Sequence, residues 1–255
     1  MKIIDFYNII DKFAPFELSD KLCKLEDMYD NSGIIIDREG DITAVTFALD
    51  FSKASVDEAK KNGSELIITH HPAIYRGIER IDGAFIDAIK NGIGVISAHL
   101  NLDCAKEGVD YCFAKALGAK KQKLTVDFGG GQGYGRQFSV DTTLKEFAEQ
   151  AESALQTKCL FYGDKDMPIK SVASFCGAGF TEKELSLVEA DLYCSSEIAH
   201  HVIKAVLDKG KAAMQFTHYA SEKCGIMNLY SHFCGLKEIK NNDIKLYFFD
   251  DERFF

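Results

Sequence analysis

Four histidines and two carboxylates of this chain are spaced as metal ligands are. The histidines stand at the ends of three short apolar runs, and two of them have an acidic residue four positions later. Residues i and i+4 of a helical turn share one face, so both side chains of such a pair can reach a common point. Imidazole nitrogens and carboxylate oxygens together suit Zn, Mn, Fe, Co or Ni better than Ca. The six residues are His70, His71, His99, Asp103, His218 and Glu222.

The adjacent pair His70-His71 needs a bend in the chain if both imidazoles are to serve one site. Side chains alternate between the two faces of a strand, so neighbours in a continuing strand point apart. Pro72 follows the pair, cannot extend the ladder, and holds His71 in an extended or polyproline II conformation. At such a bend each imidazole can face the same cavity and hold a different ion. We therefore interpret the six residues as a two-metal site.

The alternative for each histidine is an ordinary structural role. A single histidine at the end of a strand is more often a capped or solvated residue than a ligand. Here the arrangement recurs at three strand ends, twice with an acid at the same offset. The repetition favours the metal site.

The first half of the chain alternates between strand-like and helix-like patterns. Apolar runs at 34–36, 42–49, 65–69 and 94–98 are separated by helical patterns. This alternation predicts a mostly parallel sheet with flanking helices. Ligands of open parallel sheets bind beyond the carboxyl ends of the strands. We therefore expect the three histidine-bearing strands to present their imidazoles at one edge of one sheet.

A glycine-rich stretch at 128–136 separates this half from the next. The segment that follows it looks like a strand rather than a helix, so we interpret the stretch as a turn and not as a phosphate-binding loop. The patterns after it run β-α-β-β-α-β, the split ferredoxin-like order. The prediction is a metal-binding α/β domain made of 1–126 and 212–255, with a smaller α/β domain of 127–211 inserted into it.

Composition narrows the classes of function. Of the 255 residues, 46% are hydrophobic and 27% charged, and the formal net charge of −9 opposes binding to nucleic acid or to an anionic membrane. The first residues, MKIIDFYNIIDKF, have the spacing of an amphipathic helix, and their acidic residues interrupt any secretory leader. None of the eight cysteines forms a C-x-x-C pair, which disfavours a cysteine zinc site. We expect a cytoplasmic protein.

With these motifs the chain resembles the Ngg-interacting-factor-like family of dinuclear-metal proteins, also called type 2 homologues of GTP cyclohydrolase I. The resemblance covers essentially the whole chain. One departure is Ser195-Ser196-Glu197, where the family usually has Thr-Gly-Glu or Thr-Gly-Asp. The motifs that carry the resemblance are Tyr29-Asp-Asn-Ser-Gly33, Val45-Thr-Phe-Ala-Leu-Asp50, Leu66-Ile-Ile-Thr-His-His-Pro-Ala-Ile-Tyr75, Ala98-His-Leu-Asn-Leu-Asp103, the glycine loop before Arg136, and Thr217-His-Tyr-Ala-Ser-Glu222.

The resemblance also implies roles for individual residues. It places His99 beside the metals, as an orienting residue or proton shuttle. Glu197 is either an acid/base near the site or an ordinary carboxylate at a helix N-terminus. Arg76 is the nearest match to a basic residue that usually follows the two histidines, and it either touches substrate or is a surface charge. The implied metal ligands are His70, His71, Asp103, His218 and Glu222.

As to function, the resemblance implies a two-domain α/β subunit in a ring-shaped homohexamer with two divalent ions per subunit. Five protein ligands on two ions leave coordination positions open, which is typical of catalytic metal sites, so we expect a metal-dependent hydrolase. Its substrate would be a nucleotide or related phosphorylated small molecule, with activity of the GTP cyclohydrolase type as one form. The alternatives are a non-catalytic metal protein, acting as a metal store, chaperone or regulatory scaffold, and a protein-binding adaptor without metal.

Overall fold

Two β-sheets organise this protein, whose computed structural model describes residues 1–75, 81 and 83–254. Arg76 lies outside the described residues. The chain divides into unit 1, Met1–Ala105 with Ile226–Phe254, and unit 2, Lys106–Gly225. The strands are β1 (Gly33–Ile36), β2 (Ala44–Ala48), β3 (Leu66–Thr69), β4 (Gly94–Ser97), β5 (Lys123–Gly129), β6 (Gln132–Thr143), β7 (Leu160–Tyr162), β8 (Pro168–Ser174), β9 (Leu192–Ser195), β10 (Ala212–Gln215) and β11 (Lys245–Phe248).

Helices connect most of these strands. The helices are α1 (Ile3–Phe13), α2 (Glu17–Glu26), α3 (Lys53–Asn62), α4 (Gly83–Lys90), α5 (Leu100–Cys104), α6 (Val109–Ala116), α7 (Leu144–Leu155), α8 (Glu182–Leu187), α9 (His200–Asp208), α10 (His218–Gly235) and α11 (Lys237–Asn241). Among the described residues, no helix combines the length and the apolar character that a bilayer crossing requires.

Unit 1 contains the predicted mostly parallel sheet. Its strand order is β1-β4-β3-β2-β11. Strands β2, β3 and β4 pair in parallel, β11 pairs in parallel with β2, and β1 pairs antiparallel with β4. Every residue of β2, β3 and β4 is buried, as is typical of parallel strands covered on both faces. Helix α3 has Ser52 as its N-cap and Gly63 as its C-cap. Gly63 has a φ of 65°, a conformation that glycine adopts readily.

The chain returns to this sheet at its C-terminal end, as predicted. Ile226, Leu229 and Phe233 of α10 are buried, and the Phe233 ring lies 5.2 Å from that of Phe47 in β2. Strand β11 then extends the sheet beside β2. The C-terminal segment thus completes the apolar layer over one sheet face.

Unit 2 contains a mixed sheet in the order β5-β6-β8-β9-β10-β7. The predicted β-α-β-β-α-β succession is present from β6 to β9, and β5 and β10 join the same sheet. A capping box begins each of two helices, with Thr143 and Glu146 at the start of α7 and Thr181 and Glu184 at the start of α8. Within the glycine-rich stretch, Gly130 and Gly131 form the turn of the β5–β6 hairpin. The predicted turn is confirmed at these two residues, while the rest of the stretch belongs to β5 and β6.

The units differ from the predicted domains in their boundaries. Strand β10, assigned from the sequence to the domain of 212–255, pairs with β9 and β7 in the sheet of unit 2. The predicted single sheet edge for three histidine-bearing strands is therefore incorrect, since β3 and β4 lie in the other sheet. An apolar run of four residues indicates a strand, but it carries no information about which partner the strand pairs with. The boundary near 126 also differs, because β5 and β6 are one hairpin within unit 2.

Candidate metal-binding site

The unit 1 cluster consists of His70, His71, His99 and Asp103, which lie at the carboxyl ends of β3 and β4. These strands run parallel with Thr69 opposite Ser97, so the residues that follow them emerge side by side. The imidazole centroid of His70 lies 5.0 Å from that of His71 and 5.3 Å from that of His99. His70 is fully buried, and the others are buried or half-buried. The parallel pairing of β3 and β4 therefore brings the residues of the cluster together.

The bend predicted at His70-His71 is present. The backbone N–H groups of both residues donate to the carbonyl of Leu49, at 3.2 and 3.0 Å. A continuing strand would use separate acceptors for consecutive residues, so the ladder ends here. As a result the two adjacent imidazoles can lie near each other instead of on opposite faces of the sheet.

Three side chains of the cluster are spaced for ligation of one ion. One candidate ligand atom from each of His70, His99 and Asp103 lies within 4.8 Å of the others. His70 Nε2 and Asp103 Oδ1 are 3.5 Å apart. Asp103 N donates to the carbonyl of His99 at 3.0 Å, which is the helical turn that the spacing of four residues predicts. The structure therefore places a ring nitrogen of His99 within 4.8 Å of the candidate ligand atoms of His70 and Asp103.

Each imidazole of the cluster has its Nδ1 atom held by an oxygen acceptor. His70 Nδ1 is 2.8 Å from the carbonyl of Ala98, His71 Nδ1 is 2.7 Å from Asp50 Oδ1, and His99 Nδ1 is 2.7 Å from Asp30 Oδ1. Carbonyl and carboxylate oxygens only accept, so Nδ1 carries the proton and Nε2 keeps its lone pair. Metal-binding histidines in proteins are oriented in this way.

Asp30 and Asp50 have roles that the sequence interpretation missed. Asp50 follows β2, which runs parallel to β3, so the rule that located His70 could also have located Asp50. Asp30 precedes β1, and only the antiparallel pairing of β1 with β4 brings the start of β1 to the carboxyl end of β4. That pairing leaves no signature in a run of four residues.

Unit 2 holds the remaining predicted residues, which form the His218 group: His218, Glu222 and Glu197. His218 and Glu222 stand on the first turns of α10 with 3.0 Å between Nε2 and Oε1, as their spacing predicts. Glu197 Oε2 lies 2.8 Å from His218 Nδ1. This contact gives Glu197 an orienting role toward His218, while the predicted acid/base role stays a prediction.

A glycine lies against this group. Gly177 follows β8 and has a φ of 53°, and a Cβ on it would lie 2.2 Å from Glu222 Oε1 and 3.1 Å from His218 Nε2. Any side chain there would displace the two ligand atoms. The stretch Cys176-Gly-Ala-Gly179 carried no signal of this role, because close approach is a tertiary property.

The distances fit a divalent ion. Two nitrogen or oxygen ligands at about 2.0–2.2 Å from one ion lie about 3.3–3.6 Å apart at the tetrahedral angle and about 2.8–3.1 Å apart at a right angle. The 3.5 Å between His70 Nε2 and Asp103 Oδ1 meets the first range, and the 3.0 Å between His218 Nε2 and Glu222 Oε1 meets the second. The buried His and Asp groups of unit 1 could therefore hold a metal ion.

Comparison with known proteins gives relatives over nearly the whole chain. The family described as Duf34/NIF3 (NGG1p interacting factor 3) matches residues 1–253. A protein of Clostridium perfringens called GTP cyclohydrolase 1 type 2 homolog is 32% identical over 235 residues, covering 87% of each chain. A protein of Clostridium acetobutylicum with the same name is 30% identical, covering 87% of this chain and 85% of its own.

Solved structures share the fold. A hypothetical protein of Staphylococcus aureus superposes with a TM-score of 0.88 at 23% identity, covering 98% of this chain and 97% of its own. A Bacillus cereus protein related to NIF3 gives 0.85 at 18% identity, covering 98% and 96%. The arrangement of two sheets with flanking helices is therefore that of these proteins.

Proposed function

Since the chain belongs to the Duf34/NIF3 family, we propose that it binds two divalent cations and uses them to hydrolyse a nucleotide or a related phosphorylated small molecule. The unit 1 cluster supplies three of the proposed ligands, and the His218 group supplies two. The observation that carries the proposal is that all four histidines have Nδ1 held by an oxygen acceptor, which makes Nε2 the ring nitrogen that can ligate a metal ion. The proposed ligands are His70, His71, Asp103, His218 and Glu222.

Five protein ligands shared by two ions leave coordination positions for water or substrate, as catalytic sites do. A pair of divalent ions, when bound, supplies Lewis acidity and a water that ionises near neutral pH. Asp103 and Glu222 offset part of the positive charge, and both are buried, which strengthens this effect. His99, held by Asp30 at Nδ1, has a ring nitrogen within 4.8 Å of the candidate ligand atoms of His70 and Asp103, so it can ligate or pass a proton there.

Two observations support a nucleotide as the substrate. The relatives are called GTP cyclohydrolase 1 type 2 homologs. The Tyr75 side chain is 44% exposed, and its ring centroid lies 6.2 Å from that of His99 at 88°. An exposed aromatic ring beside a candidate metal ligand offers a surface on which a planar base stacks. Tyr75 would hold the base while the ions act on the reacting group.

We further propose that the protein acts as a homohexamer, as its resemblance to the family implies. Size-exclusion chromatography with light scattering measures this directly. The expected mass is six times that of the chain, and a monomer or dimer at micromolar concentration would contradict the proposal.

The test of function combines metal analysis with turnover. The full chain is purified without chelator, its metal content per subunit is measured by mass spectrometry, and nucleotides, phosphoesters and cyclic amidines are assayed as substrates. Asp103→Asn and Glu222→Gln remove one carboxylate each while keeping its shape. Asp57→Asn changes an exposed carboxylate of α3 and serves as the matched control.

We expect two ions per subunit in the wild type and in Asp57→Asn, and hydrolysis that both ligand variants lose. Absence of turnover in the wild type, or turnover that both ligand variants retain, would remove the hydrolase and leave the non-catalytic metal protein. Wild-type protein without metal would remove both and favour the adaptor.

A further inference from the structure

Three buried serines of unit 2 hold the backbone of Gly177, two through their hydroxyls and one through its backbone N–H. Ser195 Oγ donates to the Gly177 carbonyl at 2.9 Å, and Gly177 N donates to Ser221 Oγ at 3.3 Å. Ser196 N donates to the same carbonyl at 2.9 Å. Both lone pairs of the carbonyl and the N–H group are therefore used. Ser195, Ser196 and Ser221 are all at most 4% exposed, so water does not compete for these contacts.

Ser221 joins this peptide to the start of α10. Its hydroxyl donates to the carbonyl of His218 at 2.9 Å. The single hydroxyl proton is thereby used, so the 2.7 Å contact with Ser196 Oγ has Ser196 as the donor. With one hydrogen bond donated and two accepted, the Ser221 hydroxyl has its full set of partners.

Ser196 joins the same network to Glu197. Its carbonyl accepts from Gln215 Nε2 at 3.0 Å, and the Gln215 Oε1 atom accepts from Tyr162 at 3.1 Å. The N–H, carbonyl and hydroxyl of Ser196 are thus all fixed, which limits the positions open to Glu197. Ser196 does not have a positive φ, so its backbone accommodates a side chain without strain.

We propose that Ser196 and Ser221 are positioning residues that set the geometry of the His218 group for its metal ion. Gly177 lies against Glu222 Oε1 and His218 Nε2, so the position of its backbone fixes the space available to these atoms. The Ser221 hydroxyl accepts from Gly177 N and donates to the carbonyl of His218, on the helix that carries the ligands. The Ser196 hydroxyl donates to the Ser221 hydroxyl and so connects this contact with the residue before Glu197. This inference rests on the proposed function.

The alternative is a purely structural role, in which the hydroxyls stabilise the fold and leave ligation unchanged. Both roles lower the melting temperature when a hydroxyl is lost, so stability alone does not separate them. Metal affinity and the visible spectrum of bound Co²⁺ do, since the spectrum reports the ligand arrangement directly.

The experiment uses the full chain with Ser196→Ala, Ser221→Ala and the double variant. Ser231→Ala is the matched control, because Ser231 stands on the same helix and donates to the Met227 carbonyl at 2.9 Å from an exposed position. Zn²⁺ affinity is measured by competition with a chromophoric chelator, and Co²⁺ spectra are recorded for each protein. Should Ser221→Ala fail to fold, Ser196→Gly removes the hydroxyl of the partner and keeps its backbone contacts.

We expect each single variant to bind one of the two Zn²⁺ ions about 10-fold more weakly, the low end of what loss of an orienting partner causes. The Zn²⁺ affinity of the double variant should equal that of the single variant with the lower affinity, because both hydroxyls belong to one network. The Co²⁺ spectrum should change in both variants and not in Ser231→Ala. Wild-type affinity and spectrum in Ser196→Ala and Ser221→Ala would overturn this inference alone. A wild-type protein that binds neither ion would overturn it together with the proposed function.

Discussion

Asp30 and His99 form a hydrogen-bonded pair, with 2.7 Å between Asp30 Oδ1 and His99 Nδ1. Ser32 Oγ donates to the other carboxylate oxygen at 2.7 Å and accepts from His99 N at 3.0 Å, so both the ring and the backbone of His99 are held. Burial by itself would raise the pKa of Asp30. Hydrogen bonds from His99, Ser32 and Ser19, together with the electrostatic attraction between the carboxylate and the His99 ring, outweigh burial and lower the pKa of Asp30 to about 2. The pair therefore contains a carboxylate at any physiological pH.

Replacement of Asp30 by Asn should weaken metal binding by the unit 1 cluster. The amide is a weaker acceptor than the carboxylate and can also turn its NH₂ toward His99, which disturbs the tautomer. We expect a loss of Zn²⁺ affinity of about 10- to 100-fold, as for other partners of metal-binding histidines. Chelator competition measures it, with Asp57→Asn as the control. Equal affinity in the two variants would contradict the assigned role.

Replacement of Gly177 by Ala should abolish metal binding by the His218 group. The new Cβ would lie 2.2 Å from Glu222 Oε1, so the carboxylate must move. Gly210→Ala is a matched control, because its φ of 70° imposes a similar backbone strain with no atom within 4 Å of the new Cβ. Both variants should lose about 1–2 kcal/mol of stability in urea unfolding from the positive φ alone. Only Gly177→Ala should lose a metal ion, and retention of both ions would refute the close approach.

The variant Glu197→Gln distinguishes the orienting role of Glu197 from an acid/base role. An orienting role predicts a Zn²⁺ affinity about 10-fold lower, because His218 Nδ1 loses its carboxylate. An acid/base role predicts unchanged affinity and the loss of one limb in the pH profile of kcat/KM. Glu182→Gln is the control, since the exposed Glu182 Oε1 lies 3.7 Å from Nε2 of a different histidine, His201.

Because of Asp110, the free energy of unfolding should decrease as the pH rises from about 4 to about 6. Burial raises the pKa of Asp110 to about 6, although Arg136 and the N–H groups of Cys176 and Gly135 act in the opposite direction. An unfolded aspartate titrates near about 3.9, so in this window the folded state binds more protons than the unfolded state and stability decreases with rising pH.

The variant Asp110→Asn lacks this titration. Its stability relative to the wild type should rise by about 2–3 kcal/mol from about pH 4 to pH 7, because the pKa of Asp110 is about 6 in the folded protein and about 3.9 in the unfolded chain. Urea unfolding at both pH values measures the difference. A difference that does not depend on pH would contradict the raised pKa.

Tyr75 should discriminate among substrates by the presence of a planar base. Tyr75→Leu removes the ring, and stacking of one base contributes about 1–3 kcal/mol, so KM for a nucleotide should rise by about 5- to 150-fold. Tyr75→Phe keeps the ring and should retain most of the affinity. An aliphatic phosphoester should show the same KM in all three proteins, and an equal loss for both substrates would point to a structural role.

The sequence by itself predicted the parallel core of unit 1, and it singled out the candidate metal ligands, whose metal binding stays a prediction. Continuous apolar runs in β2, β3 and β4 report burial on both faces, and residues at the ends of such strands reach one edge. A spacing of four residues places Asp103 beside His99 and Glu222 beside His218 on helical turns. These signals are local, so they can be read from the order of residues.

Only the tertiary structure decided which partners these residues have. The pairing of β10 with β9 and β7 places the strand before His218 in the second sheet. The antiparallel pairing of β1 brings Asp30 to His99, and the approach of Gly177 limits the space around Glu222. Strand partners and close approaches depend on contacts between residues far apart in the chain, and such contacts leave no periodicity in the sequence.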